Sequence, residues 1–300
     1  MRRILCDYIR IMQVHSTVND WLRDNGYGAI STTEPISGGC INDTALLTTQ
    51  SGTALFLKQH PHPPPGFYQA EASGLTALRA IPGEPQTLRV PEVIHADKHF
   101  LLLENLGKGR PDNSYHQALG SGLADLHSRR QPCFGFSRDN FCGTTAQCND
   151  RMKDGFAFFR QHRLLTLALR AKEKNQLTAV ELSGVTFIAD NLQRWIPDQP
   201  PVLIHGDLWS GNVHCDADGR PALIDPACYW GWAEAELAMT TLFGGFHPDF
   251  YHSYQSSSGI DNSWRQRAPL YNLYHLLNHL LLFGGAYHDQ VLAIISRYAD

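Results

Sequence analysis

The chain has 300 residues, 43% of them apolar and 18% charged, with a formal net charge of −4. That length buries one large core or two smaller ones, and the acidic balance argues against a nucleic-acid binder, which carries a basic face. Seven cysteines are scattered without a CxxC pair, so neither a zinc ribbon nor a disulfide framework is expected, and reduced thiols of a cytoplasmic protein are.

The N-terminus begins with two arginines, and the apolar residues after them are interrupted by Asp7 and Arg10. Without a small-residue cleavage site, the segment is not expected to be a signal peptide. Residues 4–24 carry helical spacing, stopped by Asn25-Gly26. Ser37-Gly38-Gly39 then leads into two short β-like runs, Thr44–Thr49 and Ala54–Lys58, with a turn at Ser51-Gly52. His60–Gly66 holds four prolines and is expected to be a loop, because proline brings no N–H to a strand ladder. Phe67–Ile81 reads as a helix. Leu88–Ile94 and His99–Glu104 read as two more strands, turning at Asp97-Lys98. A linker follows from Leu106.

The second half is mainly helical. Residues 114–128, 150–172, 176–195, 234–243 and 263–283 repeat apolar positions near a period of 3.6. The last of these is interrupted by Asn272, His275, Asn278 and His279, so it predicts a core helix and not a membrane span, and no membrane association is expected. Three short runs, Val202–Ile204, Asn212–Cys215 and Ala222–Ile224, break the helical pattern. The pattern as a whole predicts an α+β chain in two lobes, residues 1–107 a small β-rich lobe and residues 108–300 a larger, mainly helical one.

The short runs flank HGDLWSGN, residues 205–212, and Ile224-Asp225-Pro226. H-x-D-x-x-x-x-N is the catalytic-loop pattern of kinases, in which the aspartate meets the substrate hydroxyl and the asparagine holds a magnesium ion. Magnesium takes hard oxygen donors. Asn212 and Asp225 are therefore the expected metal ligands, and Asp207 stays off the metal as the proton acceptor. No shifted pKa is required of it. Taken alone, these residues read more readily as polar caps of turns. Three features in the same chain order weigh against that. Gly38 and Gly39 allow backbone amides to approach phosphate. Lys58 ends a strand, where kinases place a phosphate-contacting lysine. Glu71 lies on the following helix, placed to pair with Lys58. Glu104, Asn105 and Leu106 occupy the connector whose backbone meets the adenine edge.

These residues resemble those of the fructosamine kinase (ketosamine-3-kinase) family, a branch of the protein-kinase-like two-lobe fold, and the resemblance implies an ATP cleft between the two lobes. GGCIN, FLK, EASGL, LADLH, the FGF-x-x-DN-x-x-G-x-x-x-Q-x-N run at 134–149, FFRQHRL, HGDLWSGN, DPACYWG, LAMTTLFGGF and LYNLYHLLNHLLLFG carry the resemblance from about Ser37 to about Gly285. It implies ATP- and magnesium-dependent phosphorylation of the 3-hydroxyl of a ketoamine, either a small molecule or a glycated protein lysine. Because the 3-phosphate is labile, it also implies deglycation. It carries Asp207 to the family's proton acceptor, Asn212 and Asp225 to its metal ligands, and Lys58 and Glu71 to its phosphate lysine and partner acid. The expected state is a monomer or homodimer.

Two departures stand out. GWAEAELAM replaces the usual G-D-R-E-A-D-L-A-M, so that Trp232 and Ala233 stand in for a charged pair and Glu236 for an aspartate that is expected to brace the catalytic loop. This region is expected to face substrate. Asn105 also stands where an aromatic residue is common. His275 and His279, four apart, are read as core histidines, since no third zinc ligand is near in sequence. His205 is expected to brace the loop, and Trp209 and Trp230 to stack on a sugar or fill the core. Cys40 is a candidate reactive thiol. The rival readings are another small-molecule kinase of the same fold, acting on an aminoglycoside, choline or homoserine, and an inactive nucleotide-binding regulator.

Overall fold

The computed structural model describes residues 13–36, 42–79 and 88–299. Gly38, Gly39 and Cys40, the start of the first predicted helix and the end of the second lie outside them. The chain divides into two units. One comprises residues up to 68 together with 93–105, and the other residues 69–92 together with 106 onward.

Among the described residues, the first unit is an antiparallel sheet with one full helix. Helix α1 (Ser16–Asp24) is capped by the His15 ring, which accepts from the Thr17 N–H, and it buries Val18 and Leu22. Strands β1 (Ile30–Ile36), β2 (Asp43–Thr49), β3 (Ala54–Gln59), β4 (Val93–Ala96) and β5 (Phe100–Glu104) follow in the chain. They lie in the order β1-β2-β3-β5-β4. Side chains on a strand alternate between faces. Ala45 and Leu47, Leu55 and Leu57, and Phe100 and Leu102 therefore share the face that packs on Val18 and Leu22. Each leucine so buried contributes about 1.5–3 kcal/mol. The same alternation turns Lys58 to the opposite face, in register with Thr44 and Leu101.

Two details differ from the sequence reading. Strand β1 has no counterpart in it. ISTTEPI is mostly exposed and contains Pro35, and both properties suit an edge strand while hiding the alternation. Leu88–Ile94 is also not one strand. β4 begins at Val93, whereas Arg89 exchanges backbone hydrogen bonds with Pro221 and Leu223 of the second unit at 2.9 and 2.8 Å. Pro91, without an N–H, separates the two halves.

The second unit includes helix α2 (Phe67–Arg79) from Gln69 onward. Residues 69–92, read from sequence as part of the small lobe, thus group with the helical body. The attachments are specific. An Arg129 guanidinium nitrogen donates to the carbonyls of Ala77 and Leu78, both at 3.2 Å, and Arg138 donates to the Gln69 carbonyl at 3.0 Å.

Helix α3 (Tyr115–Ser128) and the hairpin β6 (Asn140–Cys142) and β7 (Thr145–Gln147) come next. Helix α4 (Gly155–Phe158) then passes through a π-helical stretch, Phe159–Leu165, into α5 (Thr166–Glu173). Helix α6 (Ala179–Asp190) is followed by the short strands β8 (Val202–Ile204), β9 (Val213–Cys215), β10 (Pro221–Leu223) and β11 (Tyr229–Gly231). Four helices complete the unit: α7 (Ala233–Leu242), α8 (Pro248–Ser258), α9 (Trp264–Phe283) and α10 (His288–Tyr298). Gly120 lets α3 lie directly on α8, since a Cβ there would sit 2.2 Å from the Phe250 carbonyl oxygen. No described helix is long and apolar enough to cross a membrane.

Candidate active site

The polar residues of HGDLWSGN and of Ile224-Asp225 meet because β11 pairs with β8. Ile204 lies opposite Tyr229, Leu203 opposite Trp230 and Val202 opposite Gly231. The chain leaving Asp225 therefore returns beside the chain entering His205. Three hydrogen bonds fasten the two segments. Ala227 N–H donates to the His205 carbonyl at 2.9 Å, Ile224 N–H donates to the Asn212 carbonyl at 3.1 Å, and His205 Nε2 meets the Ile224 carbonyl at 2.8 Å.

His205 is fully buried. Its Nδ1 accepts the Asp207 N–H at 3.3 Å, so the proton sits on Nε2. Burial first of all lowers its pKa, and the neutral ring fills the bracing role expected of it. Gly206 has φ +83°, and a Cβ on it would lie 2.1 Å from the Ala227 carbonyl oxygen. Only glycine fits this turn.

Glu236, in the first turn of α7, is 1% exposed. Its carboxylate accepts the amide N–H groups of His205 and, at 3.1 Å, Gly206. These charge-assisted bonds fix the backbone on which Asp207 stands. The longer side chain in place of the usual aspartate thus still braces the loop. Trp232 is not a substrate-facing residue. It is 2% exposed and packs against Phe134, Phe156, Phe159 and Tyr271.

Asp207 keeps about a fifth of its side chain exposed. The Asn212 amide donates to the Asp207 carbonyl at 2.8 Å and to its Oδ2 at 3.2 Å. Burial pushes the Asp207 carboxyl up to about 7, with the Asn212 hydrogen bond opposing and the charges of Asp225 and Glu236 adding. The sequence reading required no such shift. Desolvation beside two further carboxylates supplies it, and a base poised near neutrality is what proton transfer at physiological pH favours. Asp225 is exposed and sits at φ +57°, a left-handed conformation that few non-glycine residues adopt. Such outliers concentrate at working sites.

A buried amide network holds the far side of this segment. Asn140 donates to the Cys228 carbonyl at 2.7 Å. Gln147 donates to Asn140 at 2.8 Å and to the Ala227 carbonyl at 3.2 Å. Asn149 donates to Asn140 at 2.9 Å and accepts from Arg163 at 2.7 Å. Arg163 is fully buried, and its guanidinium lies 3.9 Å from the Tyr229 ring centre. The asparagine-glutamine-asparagine run at 140–149 and the arginine of FFRQHRL are therefore one scaffold. Their pattern was legible in the sequence, their purpose was not.

The second unit brings together Asp207, Asn212 and Asp225. It also holds Glu71, on α2. Lys58, on β3 of the first unit, is 3% exposed. Glu104 ends β5, opposite Leu55, and Asn105 follows it. The Leu106 carbonyl accepts the Ala217 N–H at 2.9 Å, so that connector group is already engaged. Trp209 is 37% exposed, while Trp230 is half-buried and exchanges backbone hydrogen bonds with Gly135 at 3.0 and 2.8 Å. His279 does not join His275 as a metal pair. Its Nδ1 meets the His275 carbonyl at 2.8 Å. His275 itself approaches Asp207, with Nδ1 4.0 Å from Oδ1, a proximity that sequence spacing cannot reveal.

A family model for fructosamine kinase matches residues 14–300. A curated relative from Enterococcus faecium, named as a probable ketoamine kinase, is 36% identical over 266 residues, covering 88% of this chain and 94% of its own. The chloroplastic protein-ribulosamine 3-kinase of Oryza sativa subsp. indica is 34% identical over 301 residues, covering 94% and 83%. Among solved structures, one assigned as a fructosamine-3-kinase from Thermobifida fusca matches with a TM-score of 0.85 at 29% identity, covering 96% of this chain and 99% of that one. The gentamicin complex of an aminoglycoside phosphotransferase matches at 0.65 with 16% identity, covering 97% of each, a likeness of fold alone.

Proposed function

The chain belongs to the fructosamine kinase family, and from that premise we propose how its residues divide the work of phosphorylating a ketoamine. It is an ATP-dependent phosphotransferase with an alcohol acceptor, acting on the 3-hydroxyl of fructosamine- or ribulosamine-type adducts. Deglycation follows from that activity.

Asp207 accepts the proton of the 3-hydroxyl as that oxygen attacks the γ-phosphorus and ADP leaves. The observation that carries this role is its setting. The carboxylate is partly open, its backbone is fixed by Glu236 and His205, and Asn212 holds one of its oxygens. Asn212 spends its amide hydrogens on Asp207, which leaves its oxygen for a cation. With the exposed Asp225 carboxylate this makes a hard, oxygen-only donor pair, the set magnesium prefers. Magnesium bound there neutralises phosphate charge. In the roles that the family resemblance gives them, Lys58 serves as the phosphate lysine and Glu71 as the partner acid, Gly38 and Gly39 as the phosphate-loop glycines, and Glu104, Asn105 and the N–H of Leu106 as the adenine connector. Trp209, two residues from Asp207 and exposed, gives the sugar chain an aromatic face. A cytoplasmic setting agrees with the unpaired state of the five cysteines among the described residues.

The test is Asp207→Asn, assayed with fructosyl-, ribulosyl- and erythrulosyl-amines beside aminoglycosides and choline. General-base assistance contributes about 10²–10⁴-fold, so turnover falls by at least about two orders of magnitude while ATP affinity stays near that of the parent. Full turnover in the variant removes Asp207 from the reaction. Preferential turnover of an aminoglycoside or choline favours the rival substrate class.

A further inference from the structure

Two buried side chains next to Asp207 have no part in the reaction described above. Cys142 ends β6 and is 2% exposed, and His275 lies midway along α9 at 5%. Burial raises the thiol pKa of Cys142. Burial also lowers that of His275 to about 3, so the imidazole is neutral and keeps a lone pair. Among the described residues, His275 Nδ1 has no hydrogen-bond partner. A buried ring nitrogen left this way calls for an explanation.

The geometry offers one. Cys142 Sγ, a carboxylate oxygen of Asp207 and a ring nitrogen of His275 all lie within 4.8 Å of one another. A thiolate, an imidazole and a carboxylate make a poor magnesium site and a good zinc site. Ligand atoms on a tetrahedral zinc stand roughly 3.3–3.6 Å apart, given bonds of about 2.0–2.3 Å, so small side-chain rotations close the cluster. The three residues come from a hairpin, a loop and a helix, all within the second unit.

We propose that Cys142, Asp207 and His275 form an inhibitory site for zinc or a cation of similar softness. The bound ion draws the Asp207 carboxylate away from the substrate hydroxyl. Coordination releases the Cys142 thiol proton to solvent, and water takes the fourth position. The inhibitory part rests on Asp207 being the proton acceptor, whereas the binding part does not. A second cluster, Cys148, Asp150 and His162, has the same donor types and is the natural competitor for the metal.

Cobalt(II) is the probe for binding. Added to the full-length, metal-free protein without nucleotide, it is expected to give an intense near-ultraviolet thiolate-to-cobalt band. The band is lost in Cys142→Ala, weakened in affinity by roughly tenfold or more in His275→Gln, and kept in Cys148→Ala. Buffered zinc at saturating magnesium and ATP slows the parent enzyme, and the first two variants need at least about tenfold more zinc for the same effect. Circular dichroism establishes that each variant is folded, and if one is not, the other carries the test.

A band that survives Cys142→Ala and vanishes in Cys148→Ala overturns the site. Equal zinc sensitivity in parent and both variants also overturns it, since the ion is then acting at the nucleotide. A band lost in Cys142→Ala with turnover untouched by zinc keeps the site and overturns the inhibition. The zinc-free Asp207→Asn assay tests the catalytic role on its own.

Discussion

The sheet of the first unit and the polar centre of the second are held together in opposite ways. The sheet depends on alternating apolar residues whose partners lie on neighbouring strands. The polar centre depends on hydrogen bonds between residues far apart in the chain, 30 or 31 positions for Glu236 and the loop amides and 80 to 88 for Gln147 and Asn140. Hydrophobic packing is graded, so the sheet can lose one contact and remain a sheet. A buried polar group is either satisfied or costly. The centre thus exchanges tolerance for a fixed placement of Asp207.

Five substitutions at four positions break or sharpen this contrast. Glu236→Ala leaves two buried N–H groups without acceptors and is expected to cost about 2–6 kcal/mol in urea unfolding, at about 1–3 for each, with most activity lost even in the fraction that remains folded. Glu236→Asp, restoring the family's usual residue, recovers more of both than alanine does. Leu47→Ala in the sheet is expected to cost a comparable 2–5 kcal/mol or so by the same measurement, but turnover per folded molecule stays the same. Equal loss of turnover in the two alanine variants would erase the distinction. Asn140→Ala removes the bond to the Cys228 carbonyl and the acceptor shared by Gln147 and Asn149. About 1–3 kcal/mol is expected, together with a fall in kcat that Leu47→Ala does not show. Trp209→Ala is the mildest for stability, within about 0.5 kcal/mol because the side chain is exposed, and its effect is read as a raised KM for the ketoamine.

The contrast also explains what was readable in advance. Strands β2 and β3 and helices α3, α7 and α9 follow from local periodicity. The candidate catalytic segment is legible only together with the glycine pair, Lys58 and Glu71 in chain order, since its own residues also read as polar caps of turns. Helix α8 escaped because PDFYHSYQSSS is polar along most of its length, although Pro248 at its start and Gly259 at its end, with φ +74°, were available signals. The hairpin β6–β7 escaped because three-residue strands carry no measurable alternation. The grouping of residues 69–92 with the helical body rests on arginines fifty or more positions away, and no local rule points to them. Glu236 was half legible, as a brace whose longer reach raised doubt. The meeting of Cys142, Asp207 and His275 was illegible, since it joins three stretches that share no motif.

The hairpin that steadies the catalytic strand is itself anchored by the last long helix. The Tyr274 hydroxyl donates to Gln147, and the Asn278 amide donates to the Cys142 carbonyl at 3.2 Å. During translation, which delivers the N-terminal residues first, Asp207, Asn212 and Asp225 leave the ribosome well before these two anchors. The emerging polypeptide then holds the proposed site residues before the helix that anchors the hairpin has been made. Competence to transfer phosphate is therefore expected to arrive late in synthesis, with a nascent chain stalled before residue 264 still inactive.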